Sequence, residues 1–245
     1  MPKAVSFTIL DKVDSTNNYA MARVHAGLAT HGMAWLAWEQ TSGKGQRGKN
    51  WISEAGKNIT LSIVLQPEQL NTSEQFYLSA AVSMACFEFF NKFAGDQTKI
   101  KWPNDLYWCD RKAGGILIET IYHGKDWKWA VAGIGININQ ERFARELKDP
   151  VSLKQITGID HDVVVLAKEL HKTVMQKINK LNKTNIENLM ADYNRQLYKL
   201  NEKIKLKKEN IVFVTTIKSV NSNGQLITTD TQERQFDFGE VEWVG

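Results

Sequence analysis

Residues 101–120 read KWPNDLYWCDRKAGGILIET, and the folding of the whole chain turns on this stretch. Two short apolar and aromatic runs, Ile100–Trp102 and Leu106–Trp108, flank Pro103-Asn104-Asp105. That tripeptide is a turn signal, because proline presets φ and Asn and Asp side chains bond the nearby backbone. Lys112–Tyr122 then predicts a strand and Trp127–Ile138 another, joined by a hairpin at His123-Gly124-Lys125. Helices cluster elsewhere instead of alternating strictly with these strands, so a doubly wound parallel sheet does not fit.

Upstream, Val5–Leu10, Met33–Glu39 and the alternating, β-branched Asn58–Leu65 read as strands. Asp14-Ser15-Thr16-Asn17 is a cluster of helix-capping residues that opens a short helix to about His25. Asn71 and Glu74 have capping-box spacing at the start of a long apolar-rich helix, Ser73–Phe93. Downstream, Val163–Leu181 predicts a helix with Val163, Leu166, Leu170, Val174 and Ile178 on one face, and Ile186–Tyr198 a second. After Leu200 only short strands remain: Ile204–Leu206, Val212–Val220, Gln225–Thr229, Arg234–Phe238 and Val241–Val244, with a turn at Asn223-Gly224. They read as a small all-β module of the barrel type, residues 199–245, appended to a larger α+β domain, residues 1–198.

The 245 residues, 42% apolar and 24% charged, have the make-up of an ordinary soluble globular protein. A net charge of +4 favours an anionic small substrate or an acidic partner without demanding nucleic acid. The opening MPKAVSFTIL lacks the apolar core of a signal peptide, and no apolar run approaches the roughly 20 residues that span a bilayer. Two cysteines, Cys86 and Cys109, form neither a disulfide framework nor a metal cluster, so a reduced, cytoplasmic setting is expected.

Ser42–Trp51 reads SGKGQRGKNW. Gly43, Gly45 and Gly48 let backbone amides approach a ligand, while Lys44, Arg47 and Lys49 supply positive charge. The loop suits a phosphate; a flexible basic turn is the bland alternative. Gly43, Gly48 and Lys49 also match the spacing of a Walker A loop. Asn50 stands where that loop needs a hydroxyl for Mg²⁺, and a strand rather than a helix follows, so the P-loop is rejected. Lys101 and Lys112 each stand at a strand end, where most lysines are merely solvated. Lys112 differs because Ala113-Gly114-Gly115 beside it leaves room for a ligand against the backbone. Gly133–Asn139, GIGININ, ends a strand with two glycines that a β-bulge would equally explain. Scattered histidines without a CxxC give no zinc site, and no G-x-S-x-G begins a hydrolase triad.

Taken in order, DSTN, GKGQRGKNW, KWPNDLYW, RKAGGILIE and GIGIN closely resemble the motif series of the biotin protein ligases. The resemblance is strong over Asp14–Asn139 and looser beyond. It implies an α+β fold with a mixed, mostly antiparallel sheet backed by helices and a C-terminal SH3-like barrel. It also implies an activity: biotin and ATP form biotinyl-5′-adenylate, and biotin passes to a lysine of a biotin carboxyl carrier protein. Mg²⁺ would ride on the triphosphate, where it keeps several waters and few protein ligands. Carried over by position, Ser15, Thr16, Asn17 and Gln40 would line the biotin head-group pocket. Gly43, Lys44, Gly45 and Gln46 would close over the biotin moiety, with Lys44 and Arg47 also over the adenylate. Lys112 would lie between the biotin carboxylate and the phosphate. Lys101, Asn104 and Asn137 would face ATP, with Trp51 near the adenine or, equally well, a core tryptophan, and Lys112, Arg47 and Lys101 would form the catalytic set. Gly115 and Gly135 would let the ligand lie on the backbone.

The loop departs from the family, which commonly has arginine where this chain has Lys44 and Gln46. Lysine keeps the charge but not the bidentate geometry, and glutamine loses the charge. Some family members are also repressors with an N-terminal helix-turn-helix. The motifs here begin at Asp14, so neither repression nor specific DNA binding is expected, and no membrane partner. Two other readings stay open: a lipoate or octanoate transferase of the same fold, and a nucleic-acid-binding module. The second is suggested by the basic balance, eight tryptophans and the terminal β module. Its aromatics, however, are spread through apparent core strands. The oligomeric state, a homodimer included, is open.

Overall fold

The computed structural model describes residues 6–244. Seven strands form one sheet: β1 (Phe7–Val13), β2 (Ala34–Gln40), β3 (Asn58–Leu65), β4 (Thr98–Lys101), β5 (Asp105–Trp108), β6 (Arg111–His123) and β7 (Asp126–Asn137). Their order is β1-β2-β3-β7-β6-β5-β4, with β1 and β2 parallel and every other pair antiparallel. The sheet is mixed and mostly antiparallel, as expected. Its interior strand β3 is buried at every position because both faces are covered. On one face α1 (Thr16–His25) packs Ala20 and Val24 against Trp35, Val64 and Val131. On the other, α2 (Gln75–Ala94) and α4 (Val163–Lys180) close the main core around Leu61, Ile63, Ile134 and Ile136.

Local chemistry accounts for the helix ends. Asn71 and Glu74 form their capping box, which opens a 3-10 turn ahead of α2. Asp162 caps α4 by accepting from the amides of Val164 and Val165, and the apolar stripe Val163, Leu166, Leu170, Val174 and Ile178 is buried as its spacing predicts. Three details differ from expectation. A five-residue helix, α3 (Leu153–Thr157), was not anticipated. It is held by a Ser152–Gln155 capping box and is too short to show a periodicity. The helix α5 (Ile186–Arg195) stops before Tyr198, because Gln196 and Tyr198 exchange backbone hydrogen bonds with Ile100 instead. Trp102 leaves β4 for the turn, where its indole N–H donates to the Gly224 carbonyl at 2.8 Å. The first strand begins at Phe7; Val5 lies outside the described residues.

The C-terminal strands β8 (Lys203–Lys208), β9 (Ile211–Val220), β10 (Leu226–Thr229), β11 (Glu233–Phe236) and β12 (Glu242–Val244) form one antiparallel sheet, ordered β11-β10-β9-β8-β12. The expected closed barrel is not formed. Among the described residues β11 and β12 are edges, with no pairing between them. This sheet seats on α5 through Asn194, whose side chain pairs with both backbone groups of Val220. It is also held through Lys101. The Lys101 amine lies 4.6 Å from the ring centre of Tyr107, 5.7 Å from Tyr198 and 4.7 Å from Trp243 on β12.

A cation enclosed by rings gains about 0.5–2 kcal/mol, and Trp243 adds apolar contact. Trp243→Ala is therefore expected to lower the melting temperature by about 4–8 °C, on the scale of about 2 kcal/mol for a chain this size. Calorimetric melting reads the shift, and an unchanged melting temperature refutes the clasp. Among the described residues no helix is long and apolar enough to cross a membrane.

Candidate active site

Ser15, Thr16 and Asn17 enter α1 buried against the sheet. The Thr16 amide and hydroxyl both donate to Gln40 Oε1 at the end of β2, at 2.8 and 3.0 Å. Ser62, which points from β3 to the same face, lies 2.8 Å from Thr16 Oγ1 and donates to Asn17 Oδ1 at 2.5 Å. Asn17 Nδ2 donates in turn to Glu119 Oε2 on β6 at 2.8 Å. Opposite Asn17, Gly133 on β7 has no side chain, and a Cβ there would overlap the Asn17 amide. Buried Thr16, Asn17 and Ser62 and half-buried Gln40 thus form a cluster of amide and hydroxyl groups, a wall suited to a neutral polar head group.

Gly115 and Gly135 face one another across β6 and β7, which leaves bare backbone beside the cluster. A Cβ on Gly115 would stand 3.6 Å from Lys112 Nζ and 3.4 Å from Asp105 Oδ1. Lys112 and Asp105 are ion-paired at 2.7 Å, and Asp105 thereby aims the amine over this glycine. The Lys112 backbone is fixed as well: its amide donates to Asp149 and its carbonyl accepts from Val151.

Residues 43–51 fold over this face. Lys44 and Asn50 pair as a short bridge, and the Trp51 amide donates to the Gly43 carbonyl at 2.8 Å. A side chain on Gly43 would overlap the Trp51 carbonyl, and one on Gly135 would overlap the Trp51 indole. The indole therefore rests on Gly135, its ring N–H buried without a partner. Lys44 reaches Glu119 Oε1 at 3.3 Å. Gln46 Nε2 donates to the Ile116 carbonyl at 3.4 Å, while its Oε1 is buried unpaired beside a cavity of about 250 Å³. Arg47, at φ 56°, turns away, and its guanidinium lies against Gly239.

The structure gathers Ser15, Thr16, Asn17, Gln40, Gly43, Lys44, Gly45, Gln46, Trp51, Lys112, Gly115 and Gly135 on or over one face of the sheet. Asn104 lies at its rim, its Nδ2 donating to the Ile116 carbonyl at 2.5 Å. It does not bring in three others. Arg47 faces the C-terminal sheet. Asn137 is buried, with Nδ2 donating to the Val151 carbonyl at 3.1 Å and the Lys112 carbonyl at 3.4 Å. Lys101 is enclosed by rings and donates to the Tyr107 hydroxyl at 3.1 Å. Burial lowers its amine to about 8 although Asp105 pulls the other way. Ser62, Asp105, Glu119 and Gly133 were missed as site residues. The polar alternation Asn58, Thr60, Ser62 in β3 was the signal available for Ser62. The other three become visible only when β5, β6 and β7 pair.

The biotin protein ligase from Aquifex aeolicus, solved in complex with biotin and ATP, superposes with a TM-score of 0.80 at 24% identity, over 97% of each chain. Leishmania major biotin protein ligase with biotinyl-5-AMP gives 0.65 at 22%, over 97% of this chain and all of that one. The fold is that of the biotin protein ligases. The chain belongs to the biotin/lipoate A/B protein ligase family, whose model matches residues 10–137. Among named relatives it is 35% identical to the bifunctional ligase/repressor BirA of Salmonella typhimurium, over 66% of this chain and 50% of that protein. It is also 35% identical to the biotin–[acetyl-CoA-carboxylase] ligase of Paracoccus denitrificans, over 61% of this chain and 63% of the relative. The chain spans about half the length of the BirA relative it matches.

Proposed function

We propose that this protein is an ATP-dependent biotin protein ligase, which makes biotinyl-5′-adenylate and transfers biotin to a lysine of a biotin carboxyl carrier protein. The observation that carries the reading is the shared face on which an amide–hydroxyl cluster, a bare glycine pair and Lys112 adjoin under a cationic loop. The cluster suits the neutral ureido head of biotin. Its carboxylate would then extend along Gly135 and Gly115 to Lys112.

There the carboxylate oxygen attacks the α-phosphorus of ATP and pyrophosphate leaves. In the second step a carrier lysine amine attacks the acyl carbon and AMP leaves. The first step forces two anions together, and Lys112, aimed by Asp105, offsets that repulsion most as charge develops. Loop amides and Lys44 would hold the phosphate of the adenylate, while the Trp51 indole shifts off Gly135 to pack near the adenine. Asn104 would face the nucleotide. Its Oδ1 is an oxygen donor that would fit Mg²⁺ on the triphosphate, while the Asp105 carboxylate stays with Lys112. Asn137 would act indirectly, by fixing the Lys112 backbone, and Lys101 by clasping the C-terminal sheet. Residues 1–198 form the catalytic domain in this reading. Residues 199–245 form an SH3-like module left open between β11 and β12, a view supported by the return of β12 to β8.

The test is incubation with biotin, ATP, Mg²⁺ and a carrier domain, read by intact mass. One biotinyl group on one lysine, dependent on ATP, is expected. Transfer of lipoate or octanoate but not biotin overturns the assignment. Position 46 yields a further expectation. An arginine there adds a charge-assisted hydrogen bond of about 1.5–3 kcal/mol, against about 0.5–1.5 for glutamine. Gln46→Arg should slow release of preformed adenylate about five-fold, since about 1 kcal/mol expressed in release is that factor. Release as fast as wild type removes position 46 from retention.

A further inference from the structure

Glu119 has no part in the chemistry above, yet its carboxylate joins two parts of the site. Oε2 accepts from Asn17 Nδ2 at 2.8 Å, and Oε1 lies 3.3 Å from Lys44 Nζ. The first contact fixes the Asn17 amide. With Nδ2 committed to a carboxylate and Oδ1 to the Ser62 hydroxyl, flipping the amide would set oxygen against carboxylate. The second contact pins the loop. Of its three cations, Lys44 is the one in an ion pair among the described residues, since Arg47 lies against Gly239 and Lys49 has no carboxylate partner.

We propose that Glu119 is a positioning residue that couples the loop to the head-group cluster. One carboxylate draws Lys44 across the pocket and sets which way the Asn17 amide faces. Closing the loop and ordering the cluster then become a single event, because loss of either contact frees the carboxylate from the geometry that serves the other. The ligand side of this inference rests on the biotin reading; the coupling of loop to cluster does not.

Lys44 and Glu119 are partly exposed, so the pair contributes at the level of a few-fold. Glu119→Gln keeps an oxygen for Asn17 Nδ2 and removes the charge from Lys44. In the unliganded protein, trypsin is expected to cut after Arg47 and Lys49 about two- to five-fold faster in this variant. Preformed biotinyl-adenylate should leave faster by a similar factor. Lys44→Met, a change on an exposed loop, is expected to match it in the trypsin assay and carries the test should Glu119→Gln fail to fold; in adenylate release it also loses the Lys44 contact to the phosphate and should be the faster of the two. The double variant should be no worse than the worse single, since both remove one interaction. In about 1 M salt, where screening acts within about 3 Å, the difference in trypsin rate should shrink. A simple loosening of structure would not respond to salt in this way. Wild-type cleavage rates in the single variants, or effects that add in the double, overturn the coupling. If no adenylate forms at all, the biotin reading fails, while the trypsin cycle still decides the role of Glu119.

Discussion

Lys112→Met is expected to slow adenylate formation by about 10²–10³-fold, the loss typical of removing one group aimed at developing charge. The amine stands over Gly115, held 2.7 Å from Asp105, at the point where the proposed reaction brings a carboxylate and a phosphate together. Methionine keeps the stem and removes the charge. The fold should survive, because Asp105 is partly exposed and regains water; breaking so open a pair costs about 1 kcal/mol or less. Single-turnover formation of adenylate from biotin and ATP, with circular dichroism as the control on folding, measures both. A folded variant that forms adenylate at the wild-type rate removes Lys112 from the chemistry.

Gly133→Ala should weaken biotin binding by about 30- to 1000-fold. The new Cβ would overlap the Asn17 amide, which cannot yield freely because Ser62 and Glu119 hold both its ends. Overpacking of this kind costs about 1–3 kcal/mol, and one displaced hydrogen bond adds about 1, both to be recovered if biotin is to bind an ordered Asn17. A total of about 2–4 kcal/mol is the stated range of affinity. Titration calorimetry with biotin reads it directly. Because the damage passes through Asn17, Gly133→Ala added to Asn17→Ala should do little further harm. Full additivity would place the role of Gly133 elsewhere.

Much of the gathering of these residues on one face is legible in the sequence. The strand, turn and hairpin of residues 100–138 are written in local chemistry, and the motif order brings Thr16, Gln40, Lys112 and the glycines to one face. What could not be read is what pairing creates. Glu119 meets Asn17 and Lys44 only because β6 lies across the sheet from α1, a contact 102 residues apart in the chain for Asn17. Lys101 stands next to Trp102 and Pro103 in a motif that suggests a substrate contact. Only the docking of β12, 142 residues later at Trp243, shows that its amine is enclosed. The barrel was misjudged for a related reason: strand lengths and turns predict the five strands, but closure depends on edge pairing that no local pattern encodes.

The central claim is adenylation of biotin, and its most direct test is exchange of labelled pyrophosphate into ATP. With Mg²⁺ present and no carrier protein, exchange should depend on biotin, be absent with lipoate or octanoate, and fall about 10²–10³-fold in Lys112→Met. Exchange that lipoate or octanoate supports and biotin does not would contradict the account, as would exchange that Lys112→Met leaves untouched.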